Sequence, residues 1–188
     1  MRNNIILIGY RATGKSSVGR GLAAELGLGF FDMDQELELR QGQSIAEMVA
    51  DRGWPYFRGL EKGLLTELAS RRGLVISTGG GAILHQDVWP RIKAAGLVVW
   101  LTADQQTICR RLTCDEQTAS QRPTLTGTDP YAEIAAVLRE REPLYREGCH
   151  FSVDTGAITI EQVVDLIVRR QREFAATTGE ETTGRKPR

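Results

Sequence analysis

The chain has few of the residues that build metal centres or covalent frameworks. Its 188 residues include two histidines and three cysteines. His85 and His150 are far apart and lack metal-ligand spacing, so both read as structural. Cys109, Cys114 and Cys149 are odd in number and form no C-x-x-C pair. That argues against a disulfide scaffold or zinc ribbon and predicts reduced thiols in a cytoplasmic protein. An excess of one charge is also missing, because 24 Lys and Arg balance 24 Asp and Glu. No long-range field therefore favours nucleic acid or an anionic membrane surface, and basic residues matter as individual ligands. No apolar run is long enough to span a bilayer, and the short one near the N-terminus reads as a buried strand, not a signal peptide. Aromatics are only 6% of the chain, and Trp54, Trp89 and Trp100 read as packing residues. There are no internal repeats, and the length suits one compact domain with a full core.

What the chain does contain is Gly9-Tyr10-Arg11-Ala12-Thr13-Gly14-Lys15-Ser16, directly after Ile5-Ile6-Leu7-Ile8. This fits G-x-x-x-x-G-K-[ST], the phosphate-binding loop. A polyphosphate needs a concave ring of backbone N–H donors, and a loop of small residues lets the backbone come close enough. Ala12, Thr13, Gly14, Lys15, Ser16 and Ser17 are therefore nucleotide-binding candidates. Gly14 admits the chain to a helix whose N-terminus faces the phosphates. Lys15 can reach the β- and γ-phosphates, and the Ser16 hydroxyl can bind the accompanying Mg²⁺. The pattern predicts that a nucleoside triphosphate such as ATP binds here.

The remaining pattern predicts strands at Arg2–Ile8, Phe30–Asp34, Leu74–Ser77, Leu97–Leu101 and Phe151–Asp154, with helical segments between them. Ser44 and Glu47 form a capping box, Arg52-Gly53-Trp54-Pro55 interrupts helical spacing, and Pro143 disturbs a helix over Tyr131–Tyr145. Alternating strands and helices predict a three-layer α/β/α fold around a five-stranded parallel sheet. Ligands on such sheets bind at the carboxyl ends of the strands. The phosphate loop, Asp32 with Asp34, and Thr78-Gly79-Gly80-Gly81 all follow strands and should share one crevice. Thr113–Pro130 is polar and aperiodic, as expected of a lid, and contains Arg122. The Thr-, Gly- and charge-rich stretch Ala175–Arg188 is predicted to be disordered.

No N-K-x-D guanine-reading sequence occurs, and no D-x-x-G switch follows the loop. A small-molecule kinase needs an acceptor pocket, a group that orients a hydroxyl, and a lid against water. Asp34, Gly79–Gly81 and the segment carrying Arg122 supply candidates for all three. At this level a kinase for another acceptor, such as gluconate or a nucleoside monophosphate, stays open, as does a non-catalytic nucleotide-binding module.

Six elements in order narrow the choice. They are the phosphate loop with Gly19-Arg20, Asp32-Met33-Asp34, Phe57-Arg58 with Glu61, and Thr78-Gly79-Gly80-Gly81, then Arg122-Pro123-Thr124-Leu125 and Arg141-Glu142-Pro143-Leu144-Tyr145. Together, from Ile5 to about Ile167, they resemble the shikimate kinases. Ala12 departs from the family, which usually has a glycine there. The resemblance implies a P-loop, nucleoside-monophosphate-kinase-like fold over residues 1–174, with a shikimate-binding region at 33–61, a lid at 113–130 and a tail at 175–188. It implies a monomeric cytoplasmic enzyme that phosphorylates the 3-hydroxyl of shikimate with ATP and Mg²⁺, in the pathway to chorismate. Arg58 and Arg141 would clamp the carboxylate in the bidentate manner of guanidinium, with Glu61 holding Arg58. Gly79, Gly80 and Gly81 would also contact shikimate. Asp34 would orient the attacking hydroxyl, and Asp32 with Ser16 would serve the metal, Asp32 through water. Lys15 and Arg122 would offset charge on the transferred group. Arg139, two residues from Arg141, should face nearly the opposite way on a helix.

Overall fold

The computed structural model describes residues 3–114 and 130–177. In chain order the elements are β1 (Asn4–Ile8), α1 (Lys15–Leu26), β2 (Gly29–Asp32), α2 (Met33–Gln41), α3 (Ile45–Leu68), β3 (Leu74–Ser77), a 3-10 turn (Ala82–Leu84), α4 (Trp89–Ala94), β4 (Gly96–Thr102), α5 (Gln105–Cys114), α6 (Pro130–Gly148), β5 (Phe151–Asp154) and α7 (Ile160–Thr177). The strands form one parallel sheet in the order β2-β3-β1-β4-β5.

β1 lies at the centre and is buried along its whole length, which explains its unbroken apolar sequence. Its successive side chains serve opposite faces. Ile5 and Leu7 pack with Val18 and Leu22 of α1 and Val163 and Ile167 of α7. Ile6 and Ile8 pack with Met33 and Leu37 of α2, Phe57 and Leu64 of α3, and Tyr145 of α6. Each such buried side chain contributes about 1.5–3 kcal/mol, so the sheet is held rigidly from both sides. After β3 the Thr78 N–H and hydroxyl both donate to the Leu7 carbonyl, at 3.1 and 3.0 Å. This ties the start of the Gly79–Gly81 run to the end of β1, beside the phosphate loop.

α3 begins with the predicted capping box. Ser44 Oγ accepts from the Glu47 N–H at 3.2 Å, and Glu47 Oε2 accepts from the Ser44 N–H at 2.7 Å. Gly53, at φ 77° and ψ 169°, kinks the helix ahead of Pro55. That bend separates the capped first half from the turn that carries Arg58.

Several boundaries differ from the sequence reading, each for a physical reason. The second strand ends at Asp32, not Asp34, because Asp32 becomes the N-cap of α2 and its Oδ1 accepts from the N–H groups of Asp34 and Gln35. Asp34 thus lies in the first turn of a helix, where strand alternation does not apply. α6 runs through Pro143 to Gly148 without a break. Thr113 and Cys114 end α5 and Pro130 opens α6, while the rest of the predicted lid, with Arg122, lies outside the described residues. Ala175–Thr177 continue α7 and do not belong to the predicted tail, whose remainder also lies outside them.

Candidate functional site

The phosphate loop joins β1 to α1 along the crevice at the strands' carboxyl ends. Gly9 has φ 138°, and a Cβ there would collide with the Leu101 carbonyl oxygen. Gly14, at φ 90°, is the left-handed N-cap of α1. Lys15 is only 8% exposed, and its ammonium donates to the carbonyls of Gly9 at 2.9 Å and Tyr10 at 2.7 Å. It therefore rests in the hollow of its own loop. Ser16 Oγ donates to Asp32 Oδ2 at 2.6 Å and lies 3.4 Å from Ser77 Oγ. These three oxygens border one cavity together with Gly14, Lys15, Ser17 and Asp34. An all-oxygen set with one carboxylate suits a hard cation such as Mg²⁺, which keeps waters and takes its other ligands from phosphates. Among the described residues no group of three or more His, Cys, Asp or Glu could hold a metal ion. The oxygens of Ser16, Asp32 and Ser77 suit a cation that brings further ligands with a nucleotide.

Ala12 is the one described non-glycine residue with positive φ, at 61°. Left-handed backbone costs a residue with a Cβ about 1–2 kcal/mol. Arg111 of α5 donates to the Ala12 carbonyl at 3.1 Å, and Thr155 Oγ1 lies 3.1 Å from the Thr13 carbonyl. Together these contacts hold the strained turn. Ala12→Gly would remove the strain but lose about 0.4–1 kcal/mol through the freer unfolded chain. The net gain of roughly 1 kcal/mol should raise Tm by about 2–4 °C. Thermal unfolding of the variant checks this, and an unchanged or lower Tm would show that the turn is not strained.

A second cavity opens beside the loop, between α3, the Gly79–Gly81 run and α6. Its lining includes Asp34, Arg58, Glu61, Gly79–Gly81 and Arg141, with Ile45, Trp54 and Phe57 as an apolar wall. Trp54 is therefore a lining residue as well as a packing one. Arg58 lies over the rings of Trp54 and Phe57, with centroid distances of 5.1 and 5.3 Å, and its Nη1 donates to Glu61 Oε2 at 2.5 Å. Gly81 is needed for this pose, because a Cβ on it would overlap the guanidinium of Arg58. A Cβ on Gly79 would lie 2.6 Å from Glu61 Oε1 and 2.8 Å from Asp34 Oδ1. The Gly80 carbonyl accepts from Arg141 Nη1 at 3.0 Å and from the Tyr145 hydroxyl at 2.5 Å. Burial pushes the Tyr145 hydroxyl up to about 12, against the partial opposition of Arg141, so it remains a donor. Arg141 is buried and Arg139 exposed, as their spacing on a helix predicts.

The described residues contain four buried side-chain polar atoms without a hydrogen-bond partner: Tyr10 Oη, Arg11 Nε, Glu61 Oε1 and Arg141 Nε. All four residues line this second cavity. An unmet buried polar group costs about 1–3 kcal/mol, so their concentration at one pocket marks a place prepared for a polar ligand. Burial raises the Tyr10 pKa, with Arg11 opposing the shift, so this phenol also stays protonated. Arg11, Asp34 and Ile45 line both cavities. Asp34 thus stands on the wall that the second cavity shares with the cavity of the phosphate loop.

Several residues near the site escaped the sequence reading. Arg111 and Thr155 border a third cavity on the far side of the loop, with Ala12, Ile158 and Val163. Arg111 Nη2 donates to the Thr155 carbonyl at 2.6 Å. The one available signal was that Thr155 directly follows the last strand, at the ligand-binding edge of the sheet. Arg11 pairs at 3.1 Å with Glu133, whose side chain is fully buried, and His85 bonds to Glu61. No local pattern announces either contact.

A parallel sheet with a phosphate loop after its central strand and a second polar cavity beside it is the arrangement of the P-loop kinases. The chain belongs to the shikimate kinase family: the family model described as shikimate kinase matches residues 11–172. A shikimate kinase from Oleidesulfovibrio alaskensis is 47% identical over 80% of this chain and 87% of its own. One from Syntrophus aciditrophicus is 41% identical over 89% of this chain and 90% of its own. Among solved structures, the shikimate kinase from Acinetobacter baumannii in complex with shikimate superposes with TM-score 0.85 at 33% identity, covering 93% of this chain and 95% of that one. A gluconokinase from Sinorhizobium meliloti, at 18% identity and TM-score 0.58 over 97% of this chain and 99% of its own, shares the fold.

Proposed function

We propose that this chain transfers the γ-phosphoryl group of ATP to the 3-hydroxyl of shikimate, giving shikimate 3-phosphate and ADP on the route to chorismate. The observation that carries the reading is the acceptor cavity itself. Two arginines, Arg58 and Arg141, and four unpartnered buried polar atoms converge there on a space that adjoins the phosphate loop at Asp34.

Shikimate is a small ring with one carboxylate and three hydroxyls. A guanidinium meets a carboxylate through two parallel hydrogen bonds, so Arg58 and Arg141 clamp that end of the ring. The ring's apolar edge lies against Trp54 and Phe57. Asp34 accepts from ring hydroxyls, orients the attacking oxygen and takes its proton as the new bond forms. The backbone N–H groups from Ala12 to Ser17 hold the phosphates at the N-terminus of α1, and the adenosine extends toward the cavity bordered by Arg111, Thr155 and Ile158. Lys15 offsets charge on the transferring group. Ser16, and Asp32 through water, would hold the cation, which we assign as Mg²⁺. Bound there with ATP, it would neutralise charge on the β- and γ-phosphates. Arg122 is assigned to the phosphates by the family resemblance, from outside the described residues. No helix among the described residues is long and apolar enough to cross a membrane. The resemblance to the shikimate kinases is what supports placing the enzyme in the cytoplasm as a monomer.

Coupled ADP release with shikimate, gluconate and a nucleoside monophosphate tests the reading. Shikimate alone should support turnover, and comparable release with either of the others would refute it. In the same assay, Arg58→Ala and Arg141→Ala should each raise KM for shikimate about 10- to 100-fold, with far less effect on ATP. Arg139→Ala should change it little, and a larger effect there would mean that the other face of α6 binds the acceptor.

A further inference from the structure

The geometry points to His85 as a positioning residue for acceptor binding, acting through Glu61 on Arg58; the inference rests on the shikimate reading above. His85 follows the 3-10 turn after the Gly79–Gly81 run, and its backbone is fixed there. Its N–H donates to the Ala82 carbonyl at 3.2 Å, and its own carbonyl accepts from Val88 and Trp89, both at 3.0 Å. The ring is nearly buried, with Nε2 2.9 Å from Glu61 Oε2. A carboxylate oxygen can only accept, so Nε2 carries the proton.

Glu61 has one side-chain oxygen with two donors and one with none. Oε2 takes both Arg58 Nη1 and His85 Nε2, while Oε1 is buried without a partner against Gly79. The last torsion of a glutamate is broad and roughly two-fold. Held by Arg58 alone, the carboxylate could turn about that bond and take the guanidinium with it. His85 supplies a second anchor from a different element, so that Glu61 presents Arg58 in one orientation. The nearby charge of Asp87 is engaged by Lys62 of α3 at 2.6 Å, and the hydrogen-bond partner of the His85 ring among the described residues is Glu61. A bidentate clamp depends on the plane of its guanidinium, so losing the anchor should weaken acceptor binding and spare the nucleotide.

Steady-state kinetics and thermal unfolding of His85→Leu, His85→Gln and each combined with Arg58→Ala test this. His85→Leu should raise KM for shikimate about 3- to 10-fold. It should leave kcat and the KM for ATP within about twofold. His85→Gln, whose amide N–H can reach the place of Nε2, should restore most of the loss. In the Arg58→Ala background His85→Leu should add nothing, because the group it positions is gone. If His85→Leu does not fold, His85→Asn replaces it, being too short to reach Glu61. An equal rise in both KM values, an effect that persists without Arg58, or an unchanged KM in a folded variant would each overturn the role. If the wild-type protein releases no ADP with shikimate, the functional reading falls and this inference with it. Wild-type turnover with a flat response to His85 substitution overturns the inference alone.

Discussion

Lys15→Ala is expected to lower kcat by about 10²- to 10³-fold while leaving the sheet and both faces of its core in place. The ammonium belongs to no core cluster and is held instead by the carbonyls of Gly9 and Tyr10 within the loop. On the proposed reading a cation in that position would meet charge that grows on the β- and γ-phosphate oxygens as the phosphoryl group leaves, so its loss would fall mainly on the transition state. The variant should also lose some stability, since two loop carbonyls lose a donor, but water entering the cleft can replace it. A drop of a few degrees in Tm is the expected scale at about 2–4 °C per kcal/mol. Coupled ADP release together with circular dichroism checks both halves. Near-wild-type turnover would show that the loop is not used on a triphosphate.

The second large effect is expected at Asp34. Asp34→Asn keeps the shape of the side chain and can still exchange hydrogen bonds with a ring hydroxyl, but it cannot take up a proton near neutral pH. General-base contributions are typically about 10²- to 10⁴-fold, so kcat should fall by that order while KM for shikimate changes much less. The location of Asp34 on the shared wall of the two cavities is what singles it out from the other carboxylates. Measuring kcat and KM separately decides the matter. A rise in KM at constant kcat would reduce Asp34 to a binding group.

The parts of this molecule that were legible in the sequence are those governed by local rules. Unbroken apolar runs marked β1, β3 and β4, the Ser44–Glu47 spacing marked the start of α3, and helical geometry separated Arg141 from Arg139. The misplacement of Asp34 shows where local rules compete. An aspartate at the end of a strand suits both a strand position and a helix N-cap, and Asp32 serves as the cap. Contacts between distant segments left no trace. Arg11 meets Glu133 across 122 positions, Arg111 meets Thr155 across 44, and His85 meets Glu61 across 24. Only the folded sheet, which brings the ends of its strands to one edge, creates those pairs.

Asp32 spends its two oxygens on different tasks. Oδ1 holds the first turn of α2, where Asp34 sits, while Oδ2 holds Ser16 at the mouth of the phosphate loop. One carboxylate therefore fastens the first turns of α1 and α2 to each other. Removing that one side chain would loosen the start of both helices at once.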